Sequence, residues 1–153
     1  MRILNEYESL WQQARDGKLE SWQFTPEGCL ALAIILDQFP LNMFRGKPES
    51  FSTESKAIEV SKWAISREFD KQLPTDQVAF LYMPLMHSEN MDDQNLSVMK
   101  FEAAGLENNA RFAKHHRGIV ERFQRFPHRN KILGRESSQE EIDWLASDEA
   151  FTG

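Results

Sequence analysis

The chain has 153 residues, of which 41% are apolar and 27% charged, with 7 glycines, 6 prolines and one cysteine. This composition excludes disordered, collagen-like and disulfide-stapled proteins and predicts a single globular domain over residues 1–153. The net charge of −6 and a longest apolar run of only eight residues, 29–36, argue against a generic nucleic-acid-binding protein and against a membrane span.

Apolar residues recur three and four positions apart along the whole chain, which predicts an all-α protein. The first helix covers residues 3–15. The second begins at Thr25-Pro26, a capping residue followed by proline, and Pro40 is expected to end it. Because residues 29–36 are apolar all round, this second helix is expected to be central.

Five further helices are predicted downstream. The third runs from residue 51 to about residue 69, the fourth starts at 73–76, and the fifth and sixth cover 92–107 and 109–126. Pro84 should kink or break the fourth helix, because proline removes a backbone donor and crowds the preceding turn. Ser138 and Glu141 spell a capping box that starts the last helix. Seven helices joined by short turns predict stacked antiparallel pairs.

Two segments of the chain echo each other. Residues 39–46 and residues 126–134 each begin with Phe-Pro, continue to an Asn, and reach a Gly four residues after it. The echo is either a true duplication or a chance match. In both cases Phe anchors a helix end, Pro terminates the helix and Asn satisfies stray backbone groups.

Several short motifs of the sequence match those of a bacterial family and occur in the same order along the chain. They include LDQFP at 36–40, FRG at 44–46, FLYMP at 80–84, HSE at 87–89, RFQRFPHRN at 122–130 and LGR at 133–135. Over residues 22–145 the chain resembles the domain-of-unknown-function 924 family. The resemblance implies an all-helical, tetratricopeptide-repeat-like superhelix and no established activity.

The chain departs from the family pattern at two places. Family members usually carry a further N-terminal stretch, which we expect to be missing here. Met86 stands before His87, where the family often has an acidic residue.

Asp37 and Gln38 directly follow the apolar run, where a carboxylate is costly to bury without a partner. Arg45 is the nearest candidate partner in sequence. Either Asp37 binds the following turn and holds the Phe39-Pro40 corner, or Asp37 and Arg45 line a ligand site.

Two histidines are candidates for acid–base chemistry. His87 and Glu89 lie just beyond Pro84, where they either form an acid–base or ligand site or cap a helix end. A helical wheel places His116 among Phe112 and Ile119 on the apolar arc and turns His115 outward. His116 is therefore either a hydrogen-bonded core residue or a catalytic group.

Residues 111–135 contain eight Lys or Arg and one acid, Glu121, so this segment has a charge of +7. It either binds an anion or neutralises the acidic remainder of the chain. Its loop residues His128, Arg129, Asn130 and Arg135 are donors that suit a carboxylate or phosphate group.

Metal and nucleophile chemistry have little support. Cys clusters, His pairs at i, i+4 and calcium-loop spellings are lacking, so neither a metal nor another cofactor is expected. Cys29 lies inside the apolar run, where burial should raise the pKa of its thiol and make it inert.

We therefore predict a helical binding module with a polar pocket for an acidic small molecule or a peptide group. One alternative is an enzyme that uses His87, His116 or Asp37 of the same pocket for acid–base catalysis; another is a purely structural or protein-interaction scaffold. The expected partner is a small anion or a peptide, not a membrane or nucleic acid, and the expected location is the cytoplasm. The predicted ligand-binding residues are Asp37, Gln38, Asn42, Arg45, Tyr82, His87, Glu89, His128, Arg129, Asn130 and Arg135.

Overall fold

The computed structural model describes residues 2–150, with side chains from residue 5 onward. This range is helical and contains no strand, which confirms the predicted all-α class; the superhelical, repeat-like arrangement stays a prediction. The helices are α1 (Arg2–Arg15), α2 (Pro26–Ala33), α3 (Phe39–Met43), α4 (Glu54–Ser66), α5 (Thr75–Met86), α6 (Met91–Ala103), α7 (Glu107–Phe123), α8 (Asn130–Leu133) and α9 (Gln139–Leu145). A π-helical segment, Ile34–Gln38, joins α2 to α3, and 3₁₀ turns lie at Glu20–Phe24, Pro48–Phe51, Phe69–Gln72 and Pro127–Arg129.

Two of the helix starts that carry a side-chain cap, those of α2 and α9, begin where the sequence places them. Thr25 Oγ1 accepts a hydrogen bond from the backbone N–H of Gly28 at 3.0 Å, with Pro26 at the first helical position. Ser138 and Glu141 form the predicted reciprocal capping box at the start of α9. These signals are local, which is why the sequence alone locates them.

The expectation that Pro40 ends the second helix is wrong. The chain continues through the π-helical segment into α3 and ends only at Met43. Proline removes the N–H that the carbonyl of Leu36 would receive in an α-helix. That carbonyl instead accepts from Thr53 Oγ1 at 2.6 Å, and Trp11 Nε1 donates to the same hydroxyl at 3.0 Å. Thr53, just before α4, and Trp11 on α1 therefore stabilise a continuation that the local sequence disfavours.

The fourth helix also passes its proline. α5 includes Pro84 and ends at Met86, so the helix does not break at the proline, and the alternative of a kink there stays a prediction. Gln94 Nε2 donates to the carbonyls of Met86 and Ser88 at 2.8 and 2.6 Å, which satisfies acceptors that the helix end leaves open. Gln94 is fully buried, so this cap fixes α6 against the end of α5.

Other boundaries differ from the predicted ones. The third helix is α4, flanked by 3₁₀ turns, and the fifth and sixth are α6 and α7, which end three or four residues earlier than expected. Gln124, with a φ of 62°, ends α7 in the left-handed conformation. The predicted loop after residue 126 contains a 3₁₀ turn and α8, so the described range has two short helices, α3 and α8, beyond the seven expected.

Two hydrophobic clusters form the core. The larger one contains α2 and the π-helical segment at its centre, with Cys29, Ala33 and Leu36 at most 3% exposed. The smaller one joins α7 to the C-terminal segment through Val120, Phe126 and Trp144. Leu41 of α3 and Ile132 of α8, far apart in the chain, line one cleft.

Gly28 allows α2 to approach the preceding 3₁₀ turn closely. A Cβ atom at this position would lie 1.9 Å from the carbonyl oxygen of Trp22. We expect Gly28→Ala to lower the free energy of unfolding by about 1–3 kcal/mol, because the backbone must move to admit the methyl group. Urea unfolding measures the change.

Gly118→Ala is the matched control, because Gly118 also lies inside a helix but a Cβ there meets no atom within 4 Å. This variant should be at least as stable as the wild type, since alanine is about 1 kcal/mol more favourable than glycine in a helix. Equal effects of the two substitutions would contradict the close approach at Gly28.

Candidate functional site

A cleft of about 550 Å³ lies between α3, the end of α5, α7 and the segment 126–132. Both Phe-Pro segments contribute to its lining, although they are nearly ninety positions apart. Its apolar lining consists of Leu41, Phe51, Met83, Met86, Phe112, Phe126 and Ile132, and its polar lining of Arg45, Ser50, His87, Asn109, His116, His128 and Arg129. Asp and Glu do not occur among these lining residues, although the chain has 24 acidic residues.

His87 is held in the cleft wall by Asp37. The carboxylate belongs to the π-helical segment and is 4% exposed, and both of its oxygens lie 3.0 Å from His87 Nδ1. Gln38 Nε2 donates to the same carboxylate at 3.0 Å. Arg45 does not pair with Asp37; the partner is His87, fifty positions away, which proximity in sequence could not indicate.

This pairing favours the protonated form of His87. Burial by itself lowers the pKa of the imidazole, but the charge of Asp37 and its hydrogen bond outweigh that effect and raise the pKa above its usual 6.5. The protonated ring has a donor on each nitrogen. Nδ1–H donates to Asp37, whereas Nε2 has no hydrogen-bond partner among residues 2–150.

Arg129 forms the second charged pair of the wall. Its guanidinium makes a bidentate pair with Glu54 at 3.1 and 2.9 Å and donates to the carbonyl of His87 at 2.7 Å. It lies between the rings of Phe51 and Phe126, 4.3 and 4.8 Å from their centroids. Burial raises the pKa of the Glu54 carboxyl, and Arg129 opposes that rise. One side chain thus ties the C-terminal segment to α4 and to the end of α5.

Glu89 and Arg135 form a clasp behind the cleft. They make a bidentate pair at 2.9 and 3.0 Å, and Glu89 also accepts from the backbone N–H of Phe126 at 2.6 Å. The Nε of Arg135 donates to Asn130 Oδ1 at 2.9 Å. The Arg135 pair and the Phe126 hydrogen bond lower the pKa of Glu89 against the opposing effect of burial. None of Glu89, Asn130 and Arg135 lines the cleft itself.

Arg45 lies at the exposed rim of the cleft. Its nearest polar contact is Asn42 Oδ1 at 3.5 Å, and Asn42 in turn donates to the backbone carbonyl of Gln38 at 3.0 Å. Arg45 has no carboxylate partner within 4.0 Å among the described residues. Asn42 holds the backbone as expected, and the guanidinium of Arg45 keeps its charge free of an ion pair.

The other two cleft histidines are neutral at physiological pH. Burial lowers the pKa of both His116 and His128 to about 4. His116 Nδ1 lies 2.7 Å from the carbonyl of Phe112, one helical turn earlier. His116 thus faces inward and His115 outward, as the helical wheel predicts, whereas Phe112 is 63% exposed and not part of the core. The reason is that the cleft opens beside α7 at this position.

Tyr82 does not reach the cleft. Its hydroxyl donates to Asp70 at 2.7 Å, and Lys100 lies 3.4 Å from the same carboxylate. Burial, with a further contribution from Asp70, raises the pKa of this phenol. These three residues tie α5 and α6 to the 3₁₀ turn before α5.

Glu54 and Phe51, which hold Arg129 in place, are among the site residues that the sequence analysis missed. Both lie in a stretch with no motif, and nothing within the local sequence marks a carboxylate at the start of a helix as the partner of an arginine 75 positions away. The aromatic rings beside Arg129 are a usable signal only once the fold brings them together.

The basic segment is largely paired. Arg129 and Arg135 bind Glu54 and Glu89 as described, and three further cations also reach acids outside the segment: Lys114 with Glu102, Arg122 with Glu140, and Arg125 with Glu141. Five of its eight cations are thus neutralised by acids from elsewhere in the chain, as the neutralising interpretation expects.

The described residues offer little support for a cysteine nucleophile or a metal site. Burial raises the pKa of the Cys29 thiol to about 11. Across residues 2–150, three or more His, Cys, Asp or Glu side chains nowhere converge in an arrangement suited to a metal ion. In the same range, every helix is too short or too polar to cross a membrane.

The chain is similar to other bacterial proteins over most of its length. Residues 1–149 match the sequence profile of a family described as bacterial proteins of unknown function, DUF924. A protein of unknown function from Agrobacterium tumefaciens, ATU0120, has a solved structure that superposes with a TM-score of 0.89 at 36% identity, covering 93% of this chain and 80% of that one. No protein of curated function is significantly similar to this chain.

Removing Arg129 tests its role in holding the wall. Arg129→Met leaves the Glu54 carboxylate, whose side chain is 20% exposed, without its partner, so we expect the free energy of unfolding to fall by about 3–5 kcal/mol. Combining the change with Glu54→Gln should recover part of the loss, because no charge is then stranded. Urea unfolding measures both variants.

The control for this experiment is Arg122→Met, which breaks the exposed pair with Glu140 and should change stability little. If Arg129→Met were as mild as Arg122→Met, the buried pair would not hold the wall together.

The raised pKa of His87 predicts a pH dependence of stability. The contribution of His87 is fully present below its unfolded-state pKa of 6.5 and is lost as the pH rises through its higher folded-state pKa. We expect the free energy of unfolding to decline above pH 6.5 in the wild type, and this component to vanish in His87→Gln. The exposed His115, changed to Gln, is the control and should retain the decline. An unchanged profile in His87→Gln would refute the assignment.

Proposed function

The chain belongs to the DUF924 family of bacterial proteins, and we propose that it is a binding module whose cleft takes a small organic anion. The observation that carries the proposal is the composition of the cleft wall: two arginines and three histidines line it together with apolar side chains, and no acid does. The protein has a net charge of −6, yet no Asp or Glu lines this cleft. A lining with cationic groups and without acidic ones suits an anion.

The pairing of the two acids next to the cleft lining favours an anionic ligand over a cationic one. Asp37 neutralises His87 and Glu54 neutralises Arg129, so both acids are already occupied. Among the charged side chains that line the cleft, the guanidinium of Arg45 and, in the protonated ring, the Nε2–H of His87 can donate to a ligand. A carboxylate can accept from both kinds of donor, and hydrogen bonds between charged groups are the stronger ones. In this proposal Asp37 and Arg129 hold the residues that line the cleft in place, and neither is a main ligand contact.

The size of the cleft is suited to a small molecule. Ligand sites typically enclose about 300–1,000 Å³ and combine an apolar lining with a few polar groups. The cleft, at about 550 Å³, falls in this range and has that mixture.

A second candidate is acid–base catalysis at the same site. It is favoured by one observation, the 3.0 Å contact that fixes His87 Nδ1 on Asp37. A carboxylate at this nitrogen orients the ring and leaves Nε2 for proton transfer. Because the pKa of His87 is raised, the group would act as a proton donor to a bound anion. Turnover of a ligand that co-purifies with the wild type, lost in His87→Gln while binding persists, would favour this candidate.

Binding of a simple carboxylate tests the proposal. Titration with butyrate, followed by NMR amide shifts, should give saturable changes around Gly46 and His87 in the wild type. Arg45→Met should weaken this binding about tenfold or more, because a hydrogen bond between charged groups is lost. Arg45 is exposed, so the variant should unfold like the wild type.

Arg111→Met is the matched control, since this arginine on α7 is exposed and does not line the cleft. Butyrate should bind the control as it binds the wild type. The absence of saturable shifts in the wild type, or equal weakening in both variants, would overturn the proposal.

A further inference from the structure

Four rings follow one another along one wall of the cleft. His87 and His116 have centroids 6.3 Å apart, His116 meets Phe126 edge-to-face at 5.6 Å, and Phe126 lies 5.7 Å from His128. All four rings line the cleft. Rings in this range of distances attract each other through their edges and faces, and a further ring placed beside them gains the same contacts.

Two thioethers and two further phenylalanines also line the cleft. Met83 and Met86 come from the last turns of α5, and their sulfur atoms are the kind of partner that aromatic rings favour. Phe51 and Phe112 add two more rings on other elements. An aliphatic chain would fill such a space by burial alone, whereas an aromatic ring would also gain the ring and sulfur contacts.

Phe112 is a lining residue with a large exposed apolar surface that a ligand could cover. Its side chain is 63% exposed, although it belongs to a cleft with an apolar wall. A planar ligand between Phe112 and the row of rings would cover this surface. Arg45, at the exposed rim, would then meet a charged group carried by the ligand.

We infer that the cleft takes a small aromatic carboxylic acid, with its ring against Phe112 and His116 and its carboxylate toward Arg45 and His87. The inference rests on the proposed anion-binding function and names the chemical class of the ligand. The neutrality of His116 and His128 supports it, because uncharged imidazoles pack against a ring without bringing a buried charge.

Three probes separate the ring from the charge. Phenylacetate carries both features, cyclohexylacetate has a saturated ring of similar size, and phenylacetamide lacks the charge. Titration calorimetry on the full chain should show phenylacetate binding about two- to tenfold more tightly than cyclohexylacetate, the gain expected of aromatic contacts beyond burial. Phenylacetamide should bind more weakly than either acid.

Phe112→Ala tests the aromatic contact without disturbing the core. The variant should lose most of the preference for phenylacetate over cyclohexylacetate and keep the preference for the acid over the amide. Phe24→Ala is the matched control, because Phe24 is 73% exposed and lies outside the cleft. It should bind all three probes as the wild type does.

The outcomes separate the two proposals. Equal affinities of phenylacetate and cyclohexylacetate, or binding of butyrate without binding of phenylacetate, would overturn the aromatic class and leave anion binding intact. Tighter binding of phenylacetamide than of phenylacetate would overturn anion binding itself, and so would failure of every carboxylate to bind.

Discussion

The cleft depends on the contacts of the Arg129 guanidinium. This group reaches Glu54 on α4 and the backbone carbonyl of His87 at the end of α5, and it is enclosed by Phe51 and Phe126. A buried cation is tolerated when its charge is paired and hydrogen-bonded. Here that requirement brings three separate parts of the chain to one point. The shape of the cleft is therefore a consequence of satisfying one buried charge.

The sequence predicts those features that a few neighbouring residues determine. The all-α class, the starts of α2 and α9 and the opposite orientations of His115 and His116 follow from periodicity and capping. The end of the second helix does not, because the partner of the Leu36 carbonyl is a threonine seventeen positions away. The local sequence shows that proline removes a backbone N–H from the helix. It does not show that a side chain distant in sequence supplies another hydrogen bond to the carbonyl.

The candidate site shows the same division. The sequence singles out Asp37 because it follows an apolar run and Arg45 as its nearest candidate partner. It singles out His87 because it follows Pro84, and Arg129 as a donor in a basic loop. Their pairing could not be read from it, since Asp37 pairs with His87 and not with the nearer Arg45, and Glu54 carries no local signal at all. Separations of fifty and seventy-five positions are bridged only by the packed helices.

The π-helical segment has a consequence for how this protein can change. Such a segment behaves as one residue inserted into an α-helix, and each residue turns the chain by about 100° around the helix axis. Deleting one position within 34–38 would restore ordinary helical geometry, yet it would rotate everything that follows in α3 toward another side. Leu41 and Arg45 would then leave the cleft together. The length of this stretch therefore matters to the cleft as much as the Asp37 carboxylate that it carries.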